Sequence, residues 1–223
     1  MYTQDIQITL DHVKSQIAAI RANCEKGEVH AVEIKNTLEN LRSTLDYVAS
    51  DLNKCLDKLR PGTCPEKVYF PYGQRENHFK ISITKNLPNL EKDLPKVYAL
   101  VEAAQPFKSK DNWIVDLCAL TNEAKHNGLT KTSVNRIAEI KQPGIHVRGT
   151  NIVMQGNTFN GVPMDDVTVN SMGDVSVHGN SGQTWVLIEN IVKFNGKNLE
   201  IVPFLEKCYL KLTDLTIQIG KSF

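Results

Sequence analysis

The sequence predicts an α+β fold: an N-terminal helical bundle of about four helices, then a small antiparallel β-meander domain, then a C-terminal helix. Three patterns carry that reading. Apolar residues recur at steps of three and four from Ile34 to Leu59, the period of one helix face. From Gly144 onward short β-branched runs alternate with Gly and Asn, which is hairpin chemistry. After Pro203 the helical period returns, with Leu205, Cys208, Leu212 and Leu215 in step. Two regions follow, a bundle over residues 1–130 and a β domain with its closing helix over residues 131–223.

A first helix runs from Asp5 to Cys24 on Ile6, Leu10, Val13, Ile17 and Ile20, and Lys26-Gly27 stops it. The second, from Val29 to Leu59, carries a seam of Ile34, Leu38, Leu41, Leu45, Val48, Leu52, Cys55 and Leu59 at a strict heptad spacing. Arg60-Pro61-Gly62 ends it, because proline cannot continue the hydrogen-bond ladder. Residues 61–88 hold several prolines and read as a long ordered loop packed over the core, with one short strand from Phe79 to Ile83. Asn89 to Ala104 reads as a third helix. The fourth is N-capped by Asp111, runs to Asn127 on Trp113, Leu117, Leu120 and Ala124, and ends at Gly128 in the C′ position. Thr132 to Lys141 reads either as a strand or as a helix extension. The closing helix packs on the sheet or on the bundle.

Composition narrows the function classes. Lys and Arg number 26 against 25 Asp and Glu, a net charge of +1. Nucleic-acid binding draws on an excess of cations, so DNA is not expected, and a polybasic membrane anchor is disfavoured in the same way. The five cysteines are widely spaced without a Cys-x-x-Cys pair, which speaks against a disulfide framework or zinc knuckle and for a reducing, cytoplasmic setting. The first residues lack a signal-peptide pattern. No phosphate-loop, dinucleotide, metalloprotease or serine-hydrolase motif occurs, and no cofactor or metal is expected.

The candidate site is the end of the fourth helix, where Asn122, Lys125 and His126 gather within one turn. A cation and an imidazole beside an amide suit phosphate binding or acid–base work. The competing structural role is equally physical, since Lys and His complement the dipole at a helix C-terminus. Arg75 and His78 in the long loop form a second candidate binding pair, against a plain solvated loop. Asp165-Asp166 reads as a solvated turn. Trp185 reads as core packing rather than a stacking platform.

The helical hairpin, the Lys67-Val68-Tyr69-Phe70-Pro71 loop, the Gln105-Pro106-Phe107 stop and Asn122-x-x-Lys125-His126 together resemble a group of uncharacterised bacterial proteins. Those carry a helical bundle similar to the HEPN superfamily. The resemblance covers residues 28–129 and implies an RNA-directed role, as in metal-independent ribonucleases of toxin–antitoxin and phage-defence systems. Ribonuclease members of that superfamily carry an arginine followed by four to six residues and then a histidine, a spacing this chain lacks. Two expectations therefore stand. In one, the chain is an interaction or sensor protein that forms a homodimer through its heptad helix. In the other, it acts on RNA or a nucleotide with Asn122, Lys125 and His126 as catalytic groups.

Overall fold

The computed structural model describes residues 4–126 and 132–223, with the side chain of His126 outside the description. It has an N-terminal helical region, a β region of small antiparallel sheets and a C-terminal helix. The chain divides into two compact units that are not contiguous in sequence. One comprises Met1–Ile20, His30–Thr130 and Val202–Phe223; the other comprises Arg21–Val29 and Lys131–Ile201.

In the helical unit, α1 (Gln4–Glu25) buries Ile6, Leu10, Val13, Ile17 and Ile20, the positions its periodicity marks. Helix α2 (Ala31–Leu59) buries Ile34, Leu38, Leu41, Leu45, Val48 and Leu52. The strict heptad does not hold to the end. Leu56 is buried where Cys55 is expected, and Leu59 is 58 % exposed. A straight helix turns every 3.6 residues, so a seam of period 3.5 drifts off one face over several heptads. Thr37, Thr44 and Ala49 are buried as well, which broadens the seam into the wide face of a helix packed on several neighbours.

The expected strand from Phe79 to Ile83 is a helix instead, α3 (Glu76–Asn86). Phe79, Ile83 and Leu87 are buried at four-residue steps while Ile81 is 68 % exposed, so the alternation was half of a helical period. Of the rest of the loop only Phe70 to Gly73 pack over the core, while residues 61–69 are exposed or half-buried. Phe70 is buried and its N–H donates to Asp46 Oδ1 at 2.9 Å. Gly73 N–H donates to the buried Gln105 side chain at 3.0 Å. A Cβ on Gly73 would sit 2.4 Å from the Phe79 nitrogen, so only glycine allows this approach.

The expected third helix is broken into α4 (Leu90–Asp93) and α5 (Pro95–Ala103), since Pro95 has no N–H to continue the ladder. A short α6 (Pro106–Ser109) leads to α7 (Trp113–His126). Asp111 Oδ1 accepts the N–H of Trp113 at 3.1 Å, but the first helical bond goes to the Asn112 carbonyl, so the N-cap is Asn112 and Asp111 stands one residue before it. The expected end at Gly128 lies outside the described residues. Helix α8 (Ile201–Gly220) completes the helical core with Phe204, Leu205, Cys208, Leu212, Leu215 and Ile219. Lys207 Nζ reaches Asp111 at 3.0 Å, beside the start of α7.

In the β unit, Thr132–Gln142 is a strand, β1. It is followed by β2 (Ile145–Gly149), β3 (Ile152–Met154), β4 (Thr158–Phe159), β5 (Val162–Pro163), β6 (Asp166–Val169), β7 (Val175–His178) and β8 (Trp185–Phe194). The orders are β2–β1–β8 and β3–β6–β7, with β4–β5 a separate hairpin, and every pairing is antiparallel. Ala138 and Ile140 of the first sheet meet Met154, Val167 and Val169 of the second to form the core. Asn160 and Gly161 both have positive φ, 52° and 79°, as an Asn-Gly hairpin turn requires.

Candidate functional site

Two places gather polar and aromatic side chains on built elements. The first lies between α2 and α7. Thr121 Oγ1 sits 3.5 Å from the Leu38 carbonyl, and one turn away the Arg42 guanidinium donates to Cys118 Sγ. Arg42 also lies 3.4 Å from Asp46 Oδ1, and its Cζ is 5.1 Å from the centre of the Tyr72 ring. Burial pushes the Cys118 thiol up to about 11, against the pull of Arg42, so it stays protonated near neutral pH and is no nucleophile. Burial likewise raises the Tyr72 phenol. The cluster ties the 66–73 segment to two helices.

Asn122 and Lys125 continue the line of Cys118 along α7, at four and seven residues further on, and both are exposed. The side chain of His126, the third member of that expected trio, lies outside the described residues. Arg75 ends the loop as the N-cap of α3, whereas His78 is not a loop residue but lies in the first turn of α3, and both are exposed. Their neighbour Gln74 donates to Asn112 Oδ1 at 3.0 Å, just before α7 begins. Asn122 and Lys125 are ten and thirteen residues beyond Asn112, about 15 to 20 Å along the helix at 1.5 Å per residue.

The second place is the outer face of β2–β1–β8. Lys141 pairs with His146 on one side and Trp185 on the other, and Glu139 pairs with Arg148 and Leu187. Directly paired residues share a face, so two rows stand side by side on the surface opposite Ile140. Trp185 is 46 % exposed, which corrects the expected core role: Ile140 and Val186 take the inward parity and leave Trp185 the outward one. Lys141 Nζ lies 4.6 Å from the centre of its ring. Glu139 accepts from Lys141 at 2.8 Å and contacts His146 at 2.7 Å, and these two hold its carboxyl below the usual range. Arg148 reaches Glu189 at 2.7 Å. Lys141 and Arg148 thus each already have a carboxylate, and the His146 ring shares Glu139.

Asp165 is also corrected: it is buried, not solvated. Its carboxylate accepts Ser181 N–H at 2.7 Å and Ser181 Oγ–H at 2.8 Å, and its carbonyl accepts from Gln142 at 2.8 Å. Among the described residues no three His, Cys, Asp or Glu gather to hold a metal ion, and no helix is long and apolar enough to cross a membrane.

The sheet face escaped the sequence because the strand identity of Thr132–Lys141 was open, and with it the parity of Trp185. The signal was the run Val186 to Val192, in which Val186 and Val192 share a parity opposite to Trp185. No family model, no curated protein and no solved structure matches the chain.

Proposed function

We propose that the chain is an interaction protein of a reducing, cytoplasmic compartment, with the outer face of β2–β1–β8 as the surface that takes a protein partner. The observation that carries this reading is the half-exposed Trp185 in a sheet row with Lys141 and His146, next to Leu187 and Arg148. Trp and Arg are the side chains that most often anchor protein interfaces, and a rim of matched charges gives such an anchor its register. The charge pattern favours protein over RNA, because Lys141 and Arg148 are engaged by Glu139 and Glu189 and are not spare for phosphates. The α2 positions Ile34, Leu38, Leu41, Leu45, Val48 and Leu52 are buried within one chain, so this reading draws on the sheet face and not on that seam.

The test is a photo-reactive amino acid placed at Leu187 in the full chain, with the more exposed Ile81 on α3 as the control. The expected result is a protein adduct from position 187 that is absent from position 81 and abolished by Trp185→Ala. Crosslinking to RNA at 187, or to nothing at either position, contradicts the proposal.

The HEPN-like resemblance supports a second reading, in which the exposed Asn122 and Lys125 act on RNA with His126. His126→Ala would then abolish cleavage of a single-stranded RNA while leaving the melting temperature nearly unchanged. Absence of any cleavage by the unaltered chain removes that reading.

A further inference from the structure

Among the described residues one sheet edge in the β unit is long and the others are short. β2 presents five residues, β3 three and β7 four, and short edges recruit little. β8 runs ten residues from Trp185 to Phe194 and pairs with β1 on one side only. On its other side Phe194 N–H donates to the Leu199 carbonyl at 3.0 Å, and Lys193 bridges Glu200. Antiparallel pairing alternates along a strand. Val192, Asn190, Ile188 and Val186, at two-residue steps before Phe194, therefore also turn their N–H and C=O away from β1. Among the described residues no strand meets them there. Asn190 engages only its side chain, which donates to the Glu25 carbonyl at 3.1 Å. The stretch Trp185–Val192 holds no proline and no lysine, the usual guards of an open edge. Its one charge, Glu189, is held by Arg148, and Ile188 in its middle is 41 % exposed.

We propose that this edge takes β8 of a second copy of the chain, antiparallel about a two-fold axis at Ile188. A row of backbone donors and acceptors is matched by another strand. This strand is its own complement. About Ile188, Val186 faces Asn190 of the second copy, and both are residues whose backbone groups turn outward. An axis at Glu189 would set two carboxylates opposite each other, whereas about Ile188 each Glu189 stands opposite Leu187 of the second copy. Leu199 already takes Phe194, so the stretch that remains is Thr184 to Val192, with Ile188 at its centre. The joined sheet leaves only the short β2 edges outside, a closed two-fold arrangement that a single foreign strand does not give. The new bonds lie in the plane of the sheet, so the outer face with Trp185, Lys141 and Arg148 stays open. The edge and the face can each fail alone.

The experiment is sedimentation equilibrium of the full chain at micromolar concentration, beside Ile188→Pro. Proline removes an outward N–H and is tolerated on an edge strand, so the variant is expected to keep the circular dichroism of the parent. The parent is expected to sediment at twice the mass of one chain, and Ile188→Pro at the mass of one. Cysteine pairing reads the register. Directly opposed, hydrogen-bonded residues stand about 5.5 Å apart at Cα, within disulfide range. Ile188→Cys is expected to give a covalent dimer on mild oxidation, beyond what the parent gives, and Leu187→Cys is not. A monomeric parent overturns the proposal, as does a folded Ile188→Pro that stays dimeric. Equal crosslinking from the two cysteine variants overturns it too. Should Ile188→Pro fail to fold, the mass of the parent and the two cysteine variants decide.

Discussion

Asp165 fastens the segment after β7 through the Ser181 N–H, the Thr184 side chain and the Ser181 hydroxyl, and these hold its carboxyl below the ordinary value of 3.8. A carboxyl depressed in the folded state contributes stability that is present above that ordinary value and is lost as pH falls through the folded value. An acid titration of the β unit is therefore expected to be steeper for the unaltered chain than for Asp165→Asn, and Asp165→Ala to lower the melting temperature by several degrees. Equal acid sensitivity of parent and Asn variant contradicts that role. Gly173 is a second residue-scale constraint. It has φ 79°, and a Cβ there would lie 2.2 Å from the Arg136 carbonyl oxygen. Gly173→Ala is expected to cost about 1–3 kcal/mol in backbone strain alone, read by denaturant unfolding. Sequence marked Gly173 as a turn but could not show Asp165 as an anchor, because its donors stand sixteen and nineteen residues away.

Helices with a full periodic face were legible as elements. The buried positions of α1 and α7 match their pattern, and α2 departs only where a strict heptad outruns the helical turn. What failed was short and ambiguous. Phe79, Ile81 and Ile83 satisfy both a two-residue and a four-residue period until Leu87 is counted, and Pro95 divides a helix whose apolar spacing runs straight through it. These assignments carry a paired expectation. Leu45→Ala on α2 should destabilise by about 2–5 kcal/mol, as buried truncations do. Ile81→Lys, on the exposed side of α3, should change stability by no more than about 0.5 kcal/mol. If Ile81→Lys costs as much as Leu45→Ala, the helical assignment of α3 is wrong. The Leu45→Ala loss should not depend on protein concentration, because the seam is buried within one chain.

The sequence reading of residues 1–130 as a bundle omits α8, which lies some seventy residues further along the chain. Periodicity reports that a helix has a buried face, but not which partner covers it. Phe204, Leu205, Cys208 and Leu212 are fully buried in α8, so a fragment of residues 1–130 is expected to lose its cooperative thermal transition. A cooperative melt of that fragment would show that the remaining helices suffice. The division into two units also separates the scaffold from the proposed recognition surface, and the chain's two tryptophans report on them individually. Trp113 is buried in the helical unit and Trp185 is half-exposed on the sheet face. The direct test is fluorine NMR of the chain labelled with 5-fluorotryptophan, the Trp185 signal being assigned by its loss in Trp185→Phe. On titration with the partner crosslinked at Leu187, the Trp185 resonance should shift and saturate while that of Trp113 stays in place. A Trp185 resonance unmoved by saturating partner would contradict recognition through this face.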